Sequence, residues 1–114
     1  MSKEARKFPR IDSLNFTYFC LDEDGEVVSE NMGRTLNVSE TGICLETHID
    51  ISPRYHLLIT LALEDELLEV RGKVVFCRPG EGGMYETGVE FEELDEKSRQ
   101  RYQQYINHFQ GQGG

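Results

Sequence analysis

The sequence predicts a mainly β fold, a six-stranded antiparallel sheet closed into a barrel or sandwich, with one C-terminal α-helix. Two-residue alternation of apolar and polar side chains runs through most of the chain from Leu14 to Phe91. The breaks between the alternating stretches are short, polar and rich in Gly, Pro and Asp, with no helical crossover, so neighbouring strands must pair antiparallel. The period becomes helical only after Leu94. A chain of 114 residues holds one core of this kind.

Leu14, Phe16, Tyr18 and Cys20 alternate with Ser13, Asn15, Thr17 and Phe19, giving a first strand that ends at the acidic turn Asp22-Glu23-Asp24-Gly25. Glu26 to Val28 is expected to return across that turn. Arg34 to Val38 and Ile43 to Thr47 read as two strands joined by the polar turn Ser39-Glu40-Thr41-Gly42. After the break Ile51-Ser52-Pro53, residues Tyr55, Leu57, Ile59, Leu61 and Leu63 share one face. Beyond Glu64-Asp65-Glu66, residues Leu68, Val70, Gly72, Val74 and Phe76 share one face, while Glu69, Arg71 and Lys73 take the other. Pro79-Gly80-Glu81-Gly82-Gly83 then turns the chain into Tyr85, Thr87, Val89 and Phe91. Asp95 suits an N-cap, and Tyr102, Tyr105, Ile106 and Phe109 recur at helical spacing, so an amphipathic helix is expected over 95–109 with its aromatic stripe in the core. The expected organisation is a flexible basic arm over 1–12, a single domain over 13–110 and a disordered tail over 111–114.

Twelve Lys and Arg against 21 Asp and Glu give a net charge of −9. That balance speaks against DNA or RNA as a partner. The longest apolar stretch, Leu57 to Leu63, is too short to span a bilayer, so no membrane insertion is expected. No apolar segment of the secretory kind follows Lys3-Glu4-Ala5-Arg6-Lys7, and a cytoplasmic location is expected. Charge is unevenly spread: residues 1–10 carry Lys3, Arg6, Lys7 and Arg10 against Glu4, which leaves a strongly acidic remainder. A cationic arm on an acidic body suits a small anionic ligand or docking of the arm onto the body itself, and less readily a long polyanion.

Cys20, Cys44 and Cys77 form no C-x-x-C pair, and each lies in an alternating stretch, so buried free thiols are expected rather than a disulfide or a zinc site. His48, His56 and His108 have no metal-ligand spacing, and no nucleophile, base and orienting group stand together. The expectation is therefore a non-enzyme with neither metal nor cofactor.

Two motifs carry chemistry. In Arg6-Lys7-Phe8-Pro9-Arg10, Pro9 keeps the backbone from regular helix, and the two guanidiniums can converge on a phosphate or on the O6/N7 edge of guanine. The alternative is an ordinary solvated tail. In Asn37-Val38-Ser39-Glu40-Thr41-Gly42, Asn37 and Ser39 point to the same side. Asn37 offers a donor and an acceptor to a base edge, Ser39 a hydroxyl, and Gly42 a positive φ and close backbone approach. The alternative is a turn in which Asn37 and Ser39 only satisfy local amides.

Taken together and in this order, R-x-x-x-R at Arg6 and Arg10 followed by [D/N]-x-S-x-x-G at Asn37, Ser39 and Gly42 resembles the PilZ domain family. The resemblance extends to the strand Gly88-Val89-Glu90-Phe91 and the terminal helix. It implies a split β-barrel that binds the bacterial second messenger cyclic di-GMP. Arg6 and Arg10, with Lys7 beside them, would contact guanine edges and phosphates, and Asn37, Ser39 and Gly42 would hold the other side of the ligand. Phe76 lies on the strand where the family often carries an aromatic, and either packs on a base or joins the core. Ala5 stands where some members have a further arginine, which favours one bound molecule. With no signalling domain beside it in this sequence, output is expected through an effector protein, in a pathway such as motility or biofilm formation. The alternative is a nucleotide-independent PilZ-type adaptor that works by protein contact alone.

Overall fold

The computed structural model describes residues 15–63 and 66–111. Six strands, β1 (Asn15–Leu21), β2 (Val27–Val38), β3 (Gly42–Thr47), β4 (His56–Leu63), β5 (Glu66–Pro79) and β6 (Tyr85–Phe91), precede one helix, α1 (Glu96–Gly111). The strands close into a barrel in the order β1-β2-β3-β6-β5-β4, every pair antiparallel. This is the architecture the alternation predicts.

The first turn forms because the Asp22 carboxylate accepts the backbone N–H groups of Asp24 and Glu26, both at 2.9 Å, while Gly25 takes a φ of +82°. Beyond this turn the chain forms one long strand rather than two short ones. Residues Val27–Arg34 of β2 pair with β1, and Arg34–Val38 pair with β3. The alternation misses the middle of this strand because an inward position there is held by Gly33. A Cβ at Gly33 would come within 3.1 Å of the Glu46 carbonyl and 3.2 Å of the Tyr18 ring, so no apolar side chain marks the period. Strand β5 plays the same double part, pairing with β4 through Lys73 and with β6 from Gly72 onward.

The barrel interior is filled by Tyr18, Leu45, Leu57, Ile59, Leu61, Val70 and Val74, all essentially inaccessible, with Leu57, Ile59 and Leu61 sharing a face as their spacing requires. Helix α1 adds Tyr102, Tyr105 and Ile106 to the same core. Asp95 caps the helix: its carboxylate accepts the Ser98 N–H at 2.7 Å and its carbonyl the Arg99 N–H at 2.9 Å. Hydrogen bonds from Ser98, its backbone N–H first and its side chain second, hold the Asp95 carboxyl below the ordinary carboxylate range. The helix therefore starts at Glu96 and runs to Gly111, two residues past its expected end.

Two expectations need correction. Cys20 is buried, but Cys44 and Cys77 are only half-buried, because Cys44 faces outward and Cys77 lies near a strand end. Phe76 does not share the inward face of Val74. A bulge between Val74 and Phe76 inserts Val75, which restarts the alternation, so Phe76 is 36% exposed and Cys77 turns toward the core. The apolar run Val74-Val75-Phe76 hides that extra residue from any reading by period.

The cap gives a pH test. Because its pKa is lowered on folding, the Asp95 carboxylate contributes stability at neutral pH that is lost as pH falls through its folded pKa. Asp95→Asn should therefore fall short of the parent chain in thermal stability at pH 7 and converge with it in acid, whereas Asp95→Ala should be less stable at both, measured by circular-dichroism melts.

Candidate ligand-binding site

A second bulge, between Thr35 and Asn37 on β2, matches the one on β5. Between the two bulges lie β3 and β6, in regular register. The result is a straight row across four strands: Asn37 opposite Cys44, Cys44 opposite Gly88, and Gly88 opposite Phe76. The rows on either side, Thr35-Leu45-Thr87-Cys77 and Val38-Ile43-Val89-Val74, point inward. Beyond the first of these lies another outward row, Arg34-Glu46-Glu86-Arg78, tied by ion pairs Arg34–Glu46 (3.4 Å) and Arg78–Glu86 (3.1 Å). Shifting a strand by one residue exchanges its faces, so each bulge is what brings Asn37 and Phe76 outside.

The row floors an outer cavity of about 440 Å³, lined among others by Asn37, Ser39, Gly42, Cys44, Phe76 and Glu90. Gly88 makes room for the aromatic: a Cβ there would stand 2.2 Å from the Phe76 ring. The Arg78 guanidinium sits 4.8 Å from the centre of that ring, steered by its Nε donating to Glu86. Sequence reasoning passes over Arg78, although its place two residues after Phe76 on one strand is signal enough to put it on the same face. Burial pushes the Cys44 thiol up from its ordinary pKa; Glu86 adds to this and Arg78 opposes it, so the cavity floor carries a neutral thiol within the field of that ion pair.

The turn between β2 and β3 is closed by the Ser39 N–H, which donates to the Gly42 carbonyl at 3.0 Å, with the Ser39 hydroxyl at a longer 3.4 Å. Asn37 Oδ1 accepts the Val38 N–H at 3.0 Å. Both side chains thus satisfy local groups, as the plain alternative holds, and both also line the cavity. Gly42 needs no left-handed backbone; positive φ occurs at Gly25, Gly82 and Gly83. Glycine is required at Gly42 because a Cβ would lie 2.3 Å from the Val89 carbonyl oxygen of the adjoining strand.

The sequence-derived residues Asn37, Ser39, Gly42 and Phe76 therefore meet in one cavity. Arg6, Lys7 and Arg10 lie outside the described residues. Among the described residues the cavity lining holds one formal charge, Glu90, which faces Lys73 across the β5–β6 pair. Among them, too, no cluster of three or more His, Cys, Asp or Glu is placed to hold a metal, and no helix is long and apolar enough to cross a membrane.

Comparison with known proteins agrees with this geometry at the level of fold and family. The PilZ domain family model matches residues 4–108. A crystal structure of the PilZ domain of CeSA from a cellulose-synthesizing bacterium aligns with a TM-score of 0.56 at 15% identity, over 90% of this chain and 96% of that one. That likeness is one of fold. No curated protein matches the chain.

The two glycines of the site should behave differently. Gly42→Ala meets a backbone carbonyl that cannot move aside and should cost about 1–3 kcal/mol in urea unfolding. Gly88→Ala meets a side chain that can swing away, so it should cost less stability while shifting the Phe76 ring resonances.

Proposed function

The chain belongs to the PilZ domain family, and on that premise we propose that it is a receptor for cyclic di-GMP, bound on the outer face of β2, β3, β6 and β5. The observation that carries the reading is the convergence of Asn37, Ser39, Gly42 and Phe76 on one cavity. In this reading the Asn37 amide addresses the edge of one guanine, the Ser39 hydroxyl a phosphate or ribose oxygen, and the closely packed Gly42 keeps the turn low enough for approach. Phe76 with Arg78 over it forms a stacking platform whose guanidinium serves both base and phosphate.

Electrostatics supports a role for the N-terminal arm. A dianionic ligand is poorly served by a described lining whose formal charge is Glu90 alone, so cations must come from outside it. Arg78 and Lys73 stand nearby, and the proposal assigns the main share to Arg6 and Arg10, with Lys7 beside them. Ala5 favours one ligand molecule per site. Binding, not catalysis, is the activity, in the bacterial cytoplasm, and the arm and nucleotide together form the surface that an effector protein reads.

Isothermal titration with cyclic di-GMP tests the reading. Saturable binding in the micromolar range or tighter is expected, and no saturation there would replace the receptor with the nucleotide-independent adaptor. Arg6→Ala and Arg10→Ala should each weaken binding about tenfold to a hundredfold, since charge-assisted hydrogen bonds contribute about 1.5–3 kcal/mol. Unchanged affinity in both variants removes the arm from the site. Asn37→Ala should lose affinity and part of the preference over cyclic di-AMP together; equal binding of both dinucleotides by the parent chain would exclude base reading by Asn37.

A further inference from the structure

On the inner side of the barrel wall, behind the cavity, the carbonyl of Gly42 is also reached by the C-terminal helix. The Tyr102 hydroxyl donates to it at 2.7 Å, a shorter bond than either the Ser39 N–H (3.0 Å) or the Ser39 hydroxyl (3.4 Å) makes to the same oxygen. We infer that Tyr102 is a positioning residue for the ligand site: by taking the Gly42 carbonyl from inside at the shortest distance, it leaves the Ser39 hydroxyl only a long bond that a ligand can displace, and so couples the docking of α1 to occupancy of the cavity. The identity of the ligand rests on the proposed cyclic di-GMP reading, but the geometry does not.

A carbonyl oxygen has two good acceptor directions, and three donors compete for this one. With Tyr102 and the Ser39 N–H in place, the Ser39 hydroxyl is the weakest and most easily surrendered of the three. Without the Tyr102 hydroxyl, the Ser39 hydroxyl becomes the nearest replacement, and a side chain recruited to its own turn no longer serves a ligand. Tyr102 is well suited to hold its post. It is 2% exposed, stands edge-on to Phe91 with ring centres 4.7 Å apart, and stacks on Tyr105 at 6.2 Å. Burial pushes its phenol far above the ordinary range, with Tyr105 adding to the effect and the Ser39 backbone opposing it, so it is a neutral donor at neutral pH.

One turn further along α1, the Tyr105 hydroxyl bonds Thr35 Oγ1 at 2.7 Å, fastening β2 just before its bulge. Tyr105→Phe is therefore the matched comparison. It removes a buried tyrosine bond of the same length between the same helix and the barrel, but leaves the Gly42 carbonyl alone.

The experiment uses the full chain with cyclic di-GMP titrations, urea unfolding and amide hydrogen exchange on Tyr102→Phe, Tyr105→Phe, Ser39→Ala and the double variant Ser39→Ala/Tyr102→Phe. Tyr102→Phe should weaken binding about tenfold, Tyr105→Phe by less than about twofold at a similar loss of stability. Ser39→Ala should cost clearly less affinity in the Tyr102→Phe background than alone, because the hydroxyl it removes has already been diverted. Equal affinity losses in the two tyrosine variants, or strict additivity with Ser39→Ala, would overturn the inference and leave Tyr102 as packing. If the parent chain binds no cyclic di-GMP, the proposed function falls, and exchange still decides this point. Tyr102→Phe should then speed exchange at Ser39 and its turn about tenfold more than Tyr105→Phe does, and equal rates overturn it.

Discussion

The arrangement of this barrel depends on register. Two strands, β2 and β5, each carry one residue more than their neighbours at the same height of the sheet, Leu36 on one and Val75 on the other. A bulge gives up one ladder position and bends its strand. Here the pair of them, flanking the regular β3–β6 ladder, turns an inward row outward without disturbing the rows of core residues on either side. Remove either and Asn37 or Phe76 goes into the interior while its neighbours lose their packing. The outer cavity is thus a by-product of how the core is kept in phase.

The same region is close to neutral although the protein is acidic. Acids outnumber bases 21 to 12 over the chain, yet near the cavity the outward row pairs Arg78 with Glu86 and Arg34 with Glu46, leaving local charge close to balance. Such exposed pairs add little stability. Their effect is geometric, since Glu86 fixes Arg78 over the Phe76 ring and keeps a guanidinium plane parked beside the floor of the site.

Much of this is legible in the sequence, and the parts that are not share a cause. Strands announced by clean alternation, such as Leu57-Ile59-Leu61, fall where the period puts them. Asn37, Ser39 and Gly42 can be grouped because their spacing is local, and Asp95 can be read as a cap from its place before the helix. Phe76 stands out as a site residue, but its period assigns it the wrong face, since nothing in Val74-Val75-Phe76 distinguishes an inserted apolar residue from a continuing strand. The continuity of β2 is hidden by Gly33, which is buried without being apolar. For Gly42 the motif suggests close approach, which holds, and a positive φ, which does not: a clash with Val89, 47 positions away, cannot be seen in a six-residue motif. Tyr102 reads as core, and is; that its hydroxyl reaches Gly42 depends on a contact 60 residues apart.

The division of labour along the two long strands has a colloidal consequence. Because β2 meets β3 only from Arg34 onward and β5 meets β6 only from Gly72, with the Arg71 carbonyl taken by the Glu92 N–H at 2.9 Å, the stretches 27–33 and 66–70 each have a single strand partner among the described residues, and one backbone edge of each lies outside those ladders. Among the described residues, those stretches carry the most exposed apolar side chains of the barrel, Val27, Val28, Met32 and Leu67. Sticky edges of this kind invite sheet-to-sheet growth between molecules. Glu26, Glu30, Glu69 and Arg71 lie on or beside them, and the excess negative charge of the whole chain makes copies repel. Association through those edges is therefore opposed by charge rather than by closure of the edges themselves.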